Sequence, residues 1–417
     1  MRFWRVALTL TALMVVSGVA HTAELTEVID AADGDDQFDL NLNVSFRSSL
    51  HRAKITHEWR TLWADPAQSH LPDYNELRYS SQTYTMNYEV EIGLFHDLEL
   101  YLNLPWVIKE KKEISFVSGV SADSNSTLFR TNPPTGFTNA LADANDPTNS
   151  PSSERGGIGD MQIGLMWAVF NDERDDTKSV WVIGLDYLIP TGKLNKPNEV
   201  SGGSEGGVGM GHHVLTPFML FSHRYKKMDP YIGLQGSIPI QGKQAKDNGL
   251  VLPYSGGFLT GLEIIPWENK RKHQKFAIDL RLWTTFYSEV ESKGHSNAQG
   301  TVNEVSDFLL ASDYNQTQGL DLQLQAQSQY TQFGALLGFT FRAAEFVRLN
   351  LGVSLAHNTE HFISGAKFCD DKNDDGECTS SDILNQYRNP TYDDPGQRLR
   401  VEETTLFTYW ITAMATF

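Results

Sequence analysis

The chain has 417 residues, 40% of them hydrophobic and 21% charged, and a formal net charge of −18 at neutral pH. So acidic a chain is excluded as a nucleic-acid binder. Beyond the first residues, no stretch holds the ~18 consecutive apolar residues of a transmembrane helix. The mean hydropathy of −0.36 still admits a membrane β-barrel, in which only alternate residues of each strand meet lipid.

Arg2 and Arg5 precede an apolar run from Val6 to Val16, and Ser17, Gly18, Val19 and Ala20 follow as small residues. This is the pattern of a secretory signal peptide spanning residues 1–20, cleaved after Ala20. Residues 21–37 form an acidic lead without strand periodicity, expected in the periplasm or tucked into a lumen. From 38 to 417 the sequence reads as one barrel.

Phe38, Leu40, Leu42, Val44 and Phe46 alternate with polar residues, so a strand runs from 38 to about 59. After a loop over 61–80, Tyr84, Met86, Tyr88, Val90, Ile92 and Leu94 alternate again. A tight turn at His96–Asp97 leads into Leu98, Leu100, Leu102, Leu104, Trp106 and Ile108. The segment 110–156 is rich in Ser, Asn, Asp, Pro and Thr and reads as a long loop. Strands follow near 161–169, 181–189, 212–225, 229–241, 256–266, 275–290, 320–342 and 346–361. A loop over 362–397 precedes the last strand, 404–417. There Phe407, Tyr409, Ile411, Ala413, Ala415 and Phe417 occupy one face.

Twelve strands result, and their connections alternate short and long. An all-β, transmembrane, antiparallel up-and-down barrel is therefore predicted, with short periplasmic turns and long extracellular loops. Its location is the outer membrane of a Gram-negative bacterium, with outer-membrane lipid as its surroundings. A chain that ends on Phe417 resembles outer-membrane barrels whose last strand is recognised by the barrel-assembly machinery. Phe417 is the expected assembly signal.

The inward face predicted by alternation carries Glu89, Glu91, Glu99, Asp160, Asp186, Glu263 and Asp279, with Lys109, Arg281, Arg342 and Arg348 as counter-charges. Burying such groups unpaired is costly, so they either pair into a structural network or line a hydrated path. Cys369 and Cys378 are the only cysteines, and export makes a disulfide their default state. Between and beyond them, Asp371, Asn373, Asp375 and Asp382 take positions 1, 3, 5 and 12 of an EF-hand-like loop. Gly376 takes the turn position, Glu377 supplies the carbonyl at position 7 and Thr379 stands at position 9. Hard oxygen ligands at this spacing suit calcium, and Asp at position 12 resembles the dockerin-type variant. Calcium is the only cofactor expected.

Gly157, Gly159 and Asp160 stand before one hairpin, and Pro190, Thr191 and Gly192 after it. This pattern resembles the outer-membrane family named for the MetA pathway of phenol degradation. The resemblance implies a barrel for passage of small, often hydrophobic compounds, and it brings no catalytic residues. His295 and Ser296 superficially resemble the active-site pair of outer-membrane phospholipase, but they are adjacent, and the Ser/Arg/Trp pattern that follows in that family is missing. No enzyme activity is expected. The function read from the sequence is a channel for passive uptake or export of small, hydrophobic or weakly polar solutes. The alternative is a non-conducting barrel whose acidic loops act in adhesion or scaffolding.

Overall fold

The computed structural model describes residues 23–29, 39–58, 73–120, 152–171, 179–195, 207–291, 300–301, 324–344, 346–370, 378–379, 383–385, 388 and 393–417. The expected signal peptide, most of the acidic lead, residues 371–377 and 380–382, and His295 and Ser296 lie outside the described residues.

Twelve antiparallel strands close into a barrel. They are β1 (Leu40–His57), β2 (Tyr74–Phe95), β3 (Leu98–Phe116), β4 (Met161–Phe170), β5 (Val180–Ile189) and β6 (His212–Ser222), then β7 (Met228–Gln241), β8 (Ser255–Asn269), β9 (Gln274–Tyr287), β10 (Tyr330–Ala344), β11 (Val347–Asn358) and β12 (Leu399–Thr416). Each strand pairs with its sequence neighbour, and β12 pairs with β1 from Asn41↔Thr416 to His57↔Leu399. Leu40 and Phe417 exchange backbone hydrogen bonds of 3.1 and 2.9 Å at the seam.

Through the lower wall, alternation places apolar side chains outward. Leu42, Val44, Leu102, Trp106, Leu165, Leu280, Leu351, Phe407, Tyr409 and Ile411 are exposed. Between them Asn41, Asn43, Ser45, Glu89, Glu91, Asn103, Asn350 and Thr412 are buried inside. This is the polarity of a barrel in lipid.

Toward the loop end of β1, β2, β3 and β12 the polarity inverts. Ala53, Ile55, Leu77, Tyr79, Ile114, Leu399 and Val401 now point inward and pack on Leu324 and Ile363. The outer face carries Lys54 with Glu403 and Arg400 with Asp73. A buried Leu or Ile contributes about 2 kcal/mol, whereas an exposed ion pair contributes about 0.5 kcal/mol, so the apolar filling holds this part together. The strands are accordingly longer than alternation alone predicts. β2 begins at Tyr74 rather than beyond Ser80, and β12 begins at Leu399. β3 runs to Phe116, and a short strand Ser152–Ile158, most of it within the expected loop, pairs with it between Trp106 and Glu113. The tenth strand moves the other way and begins only at Tyr330.

Five inward aromatic side chains lie over a glycine directly opposite on the next strand. The pairs are Tyr101 over Gly164, Phe218 over Gly184, Tyr231 over Gly261, Trp283 over Gly334 and Trp410 over Gly352. A methyl group on any of these glycines would collide with the ring. The rings therefore lie along the wall instead of across the lumen, and each joint fixes register through a direct cross-strand contact. Gly261→Val should displace Tyr231 and destabilise the barrel by about 1–3 kcal/mol, as overpacking does. The expected readout is a lower temperature for loss of the fast-migrating folded band in unheated gel samples. Gly256→Val, where a side chain meets open space, should leave that temperature nearly unchanged.

Candidate functional site

The inward charges assemble from the strands' polar face. Asn41 Nδ2 donates to Glu91 at 2.9 Å, and Asn43 Nδ2 donates to Glu89 at 3.0 Å. Register dictates both contacts, since Asn41 faces Glu91 and Asn43 faces Glu89 across β1 and β2. The Tyr101 hydroxyl donates to Asp186. The Tyr231 hydroxyl donates to Asp279, while Arg281 reaches Tyr231 and Asp279 at 3.0 Å each. Lys275 pairs with Glu263 at 2.7 Å. The carboxylates predicted from alternation are all buried, and each has partners, as burial of charge demands.

Lys109 departs from the expected lumen position. Its side chain is 43% exposed and pairs with Glu154 at 2.6 Å. The cause is a bulge: Tyr84 faces Lys109 but Thr85 faces Val107, so Ile108 is unpaired and the alternation shifts by one residue. Beyond it Glu110 and Lys112 take the inward positions and line the chamber described below.

The described part of the lead lies inside the barrel at the turn end. Leu25 and Val28 are buried against Ala168, Val180, Val182, Leu220, Tyr231 and Leu259. Thr26 bonds the Ser222 hydroxyl at 2.8 Å, and the Ile29 N–H donates to Glu99 at 3.0 Å. Glu27 accepts from Arg342 and Arg348, both at 2.8 Å. The sequence pointed to both arginines without revealing that their partner comes from the lead, because no periodicity marks residues 23–29.

Toward the loop end a chamber of about 590 Å³ occupies the lumen. Leu188, Met210, Val214, Pro239, Leu252 and Pro253 give it one apolar wall. Elsewhere it is lined by hydroxyl, amide and charged groups, including Ser81, Thr83, Lys112, Gln162, Asp186 and Gln235. Tyr287, Tyr330 and His361 stack in a row, with centroids 4.5 and 4.3 Å apart, and the two tyrosines reach the chamber. Sequence reading missed this row, although Tyr287 and Tyr330 are strand ends facing each other.

The Gly-x-Gly-Asp and Pro-Thr-Gly segments meet beside the chamber. The register Met161↔Ile189 brings their ends together. Thr191 Oγ1 accepts from Met161 N–H at 2.9 Å and lies 3.3 Å from the Gly159 carbonyl. Asp160 accepts from the N–H groups of Gly192 at 2.9 Å and Met210 at 2.6 Å. A Cβ on Gly192 or Gly209 would stand about 3.0 or 2.9 Å from Asp160 Oδ1, so only glycine permits this approach. Gly157 has φ +139°, a region closed to other side chains. Asp160 is thus a brace that ties the segment bearing Met210 to the chamber wall.

Of the calcium candidates only Thr379 is described, and it is exposed. Cys369 and Cys378 form a disulfide, and Cys369↔Leu384 and Asp370↔Ile383 pair beside it. Asp371, Asn373, Asp375, Glu377 and Asp382 lie outside the described residues. Phe417 is exposed at the turn end of the seam.

No protein-family model matches the chain, and no curated protein matches its sequence. The likeness to the MetA-pathway family therefore remains one of the short motif. Among solved structures the chain is similar to the COG4313 outer membrane channel from Pseudomonas putida F1. That match has 9% identity over 90% of this chain and 95% of that one, with a TM-score of 0.41. It is also similar to a Pseudomonas aeruginosa FadL homologue, at 6% identity over 91% and 90% with a TM-score of 0.31. A third similarity is to the deltaS2 mutant of the TodX monoaromatic hydrocarbon channel, at 10% identity over 95% and 93% with a TM-score of 0.35. At these scores the likeness lies in barrel architecture alone.

Asp160→Ala should orphan two backbone N–H groups, at about 1–3 kcal/mol each. Hydrogen exchange should then quicken at Gly192 and Met210 and stay unchanged at the β1–β12 seam. Asp160→Asn keeps one acceptor oxygen and should show a smaller rise.

Proposed function

We propose that this chain is an outer-membrane channel that passes small, hydrophobic or weakly polar solutes through the barrel lumen. The lead acts as its gate at the periplasmic end. The observation that carries the reading is the arrangement along the axis, a chamber of about 590 Å³ above and residues 25–29 lodged below it. One apolar wall facing hydroxyls and amides suits a solute with an apolar body and few polar groups. The lead is held by two apolar side chains, one hydroxyl pair, one backbone N–H and one carboxylate between two arginines. Such non-covalent contacts sum to a few kcal/mol, small enough for the segment to leave and return.

In planar bilayers the wild type should show small, intermittent conductance. Glu27→Gln removes the charge that Arg342 and Arg348 grip and should raise the open fraction severalfold. Deleting residues 23–29 should open the pore further. No conductance, and no liposome permeability to any small solute, in all three proteins would overturn the channel reading and favour a non-conducting barrel that displays its acidic loops.

The same proposal assigns Phe417 as the signal read by the assembly machinery, and calcium as the ion of the disulfide-closed loop. Calorimetry at millimolar calcium should give a saturable heat in the wild type. Asp371→Ala together with Asp375→Ala should abolish it.

A further inference from the structure

Polar groups on the inner face of β11, β12 and β1 are left over by the networks above. Arg47 shares the inward parity of Asn41, Asn43 and Ser45. Trp410 stands directly opposite it on β12. One rung toward the turn end, Ser45 faces Thr412, and Thr412 faces Asn350 on β11. Direct cross-strand neighbours lie about 5 Å apart, so these residues form one contiguous patch.

Among the described residues, the Arg47 guanidinium makes no ion pair or hydrogen bond. Trp410 Nε1, Thr412 Oγ1 and both polar atoms of the Asn350 amide are buried without a hydrogen-bond partner. Their exposures are 5%, 1% and 0%. Other inward cations are matched: Arg281 by Asp279, Lys275 by Glu263, and Arg342 and Arg348 by Glu27. A guanidinium and a cluster of donors set in a barrel wall at lipid depth call for an acceptor.

The geometry points to a subsite for a small organic monoanion, a carboxylate, bound by Arg47 with Trp410, Thr412 and Asn350 completing its hydrogen bonds. A guanidinium takes a carboxylate through two parallel N–H donors, and it repels a cation. The same wall already holds a carboxylate. Arg348, the next inward residue below Asn350 on β11, grips Glu27 of the lead together with Arg342. A solute carboxylate at Arg47 therefore stands one step above the pair that holds the gate, and would succeed Glu27 there when the lead withdraws. That last step rests on the channel reading, whereas occupancy of the subsite does not.

Benzoate is a suitable probe, with benzyl alcohol as its uncharged counterpart, titrated calorimetrically into the detergent-solubilised full chain. Saturable benzoate binding is expected, with no binding of benzyl alcohol. Arg47→Gln should weaken it about tenfold or more, and Arg47→Lys by less. Asn350→Leu, which keeps Arg47, should weaken it as well, and the folded band in unheated gels checks each variant. Absence of saturable benzoate heat would mean that the patch holds water only, and would overturn the proposal. Equal affinity in Arg47→Gln, or equal affinity for benzyl alcohol, would overturn it too. Benzoate binding without any bilayer conductance would remove the channel reading and leave the subsite standing.

Discussion

Everything in this molecule depends on closure of the backbone ladder. In hydrocarbon each unpaired N–H or C=O costs several kcal/mol, so a sheet survives there only without edges. The pairing of β1 with β12 along nearly their whole lengths removes both edges at once. It ends where Leu40 and Phe417 exchange their backbone bonds. With no edge left, the wall has two faces only, and alternation decides which side chains meet lipid and which meet one another inside.

Where alternation ruled, the sequence was legible. Leu42 and Val44, Leu100 and Leu102, and Phe407 to Ile411 declare their lipid face, because nothing but the wall acts on them. Legibility failed where a second influence entered. At the loop end of β1, β2, β3 and β12, Leu77, Ile114 and Val401 turn inward onto Leu324 and Ile363, as in a water-soluble sheet. The periodicity persists there with its sense reversed, so a search for apolar-out residues finds a loop. A single unpaired residue at Ile108 had a similar effect on Lys109.

The inner face was legible in composition but not in partnership. Which residues carry charge can be read from parity; who holds whom depends on register. Asn41 and Asn43 are ordinary strand residues until β2 sets Glu91 and Glu89 opposite them. Gly261 resembles a strand weakness until Tyr231 proves to lie over it. Glu27 is one acid among many in the lead, and only the fold brings it between Arg342 and Arg348.

These partnerships change what the acidity of the chain means. A net charge of −18 invites the view that the lumen attracts cations. Inside the wall, however, Glu263, Asp279 and Glu27 are paired with Lys275, Arg281, Arg342 and Arg348, which offsets their charge locally. Glu89, Glu91 and Asp186 accept from the neutral donors Asn43, Asn41 and Tyr101. The exposed acids face water, where salt screens them beyond about 8–10 Å. On the channel reading, selection inside the lumen would fall to the shape of the chamber and to groups such as the Arg47 guanidinium. On that reading Arg47, which has no ion-pair partner among the described residues, would act on a passing solute through its own charge rather than through the overall charge. The long-range field and the short-range path can therefore have opposite preferences within one barrel.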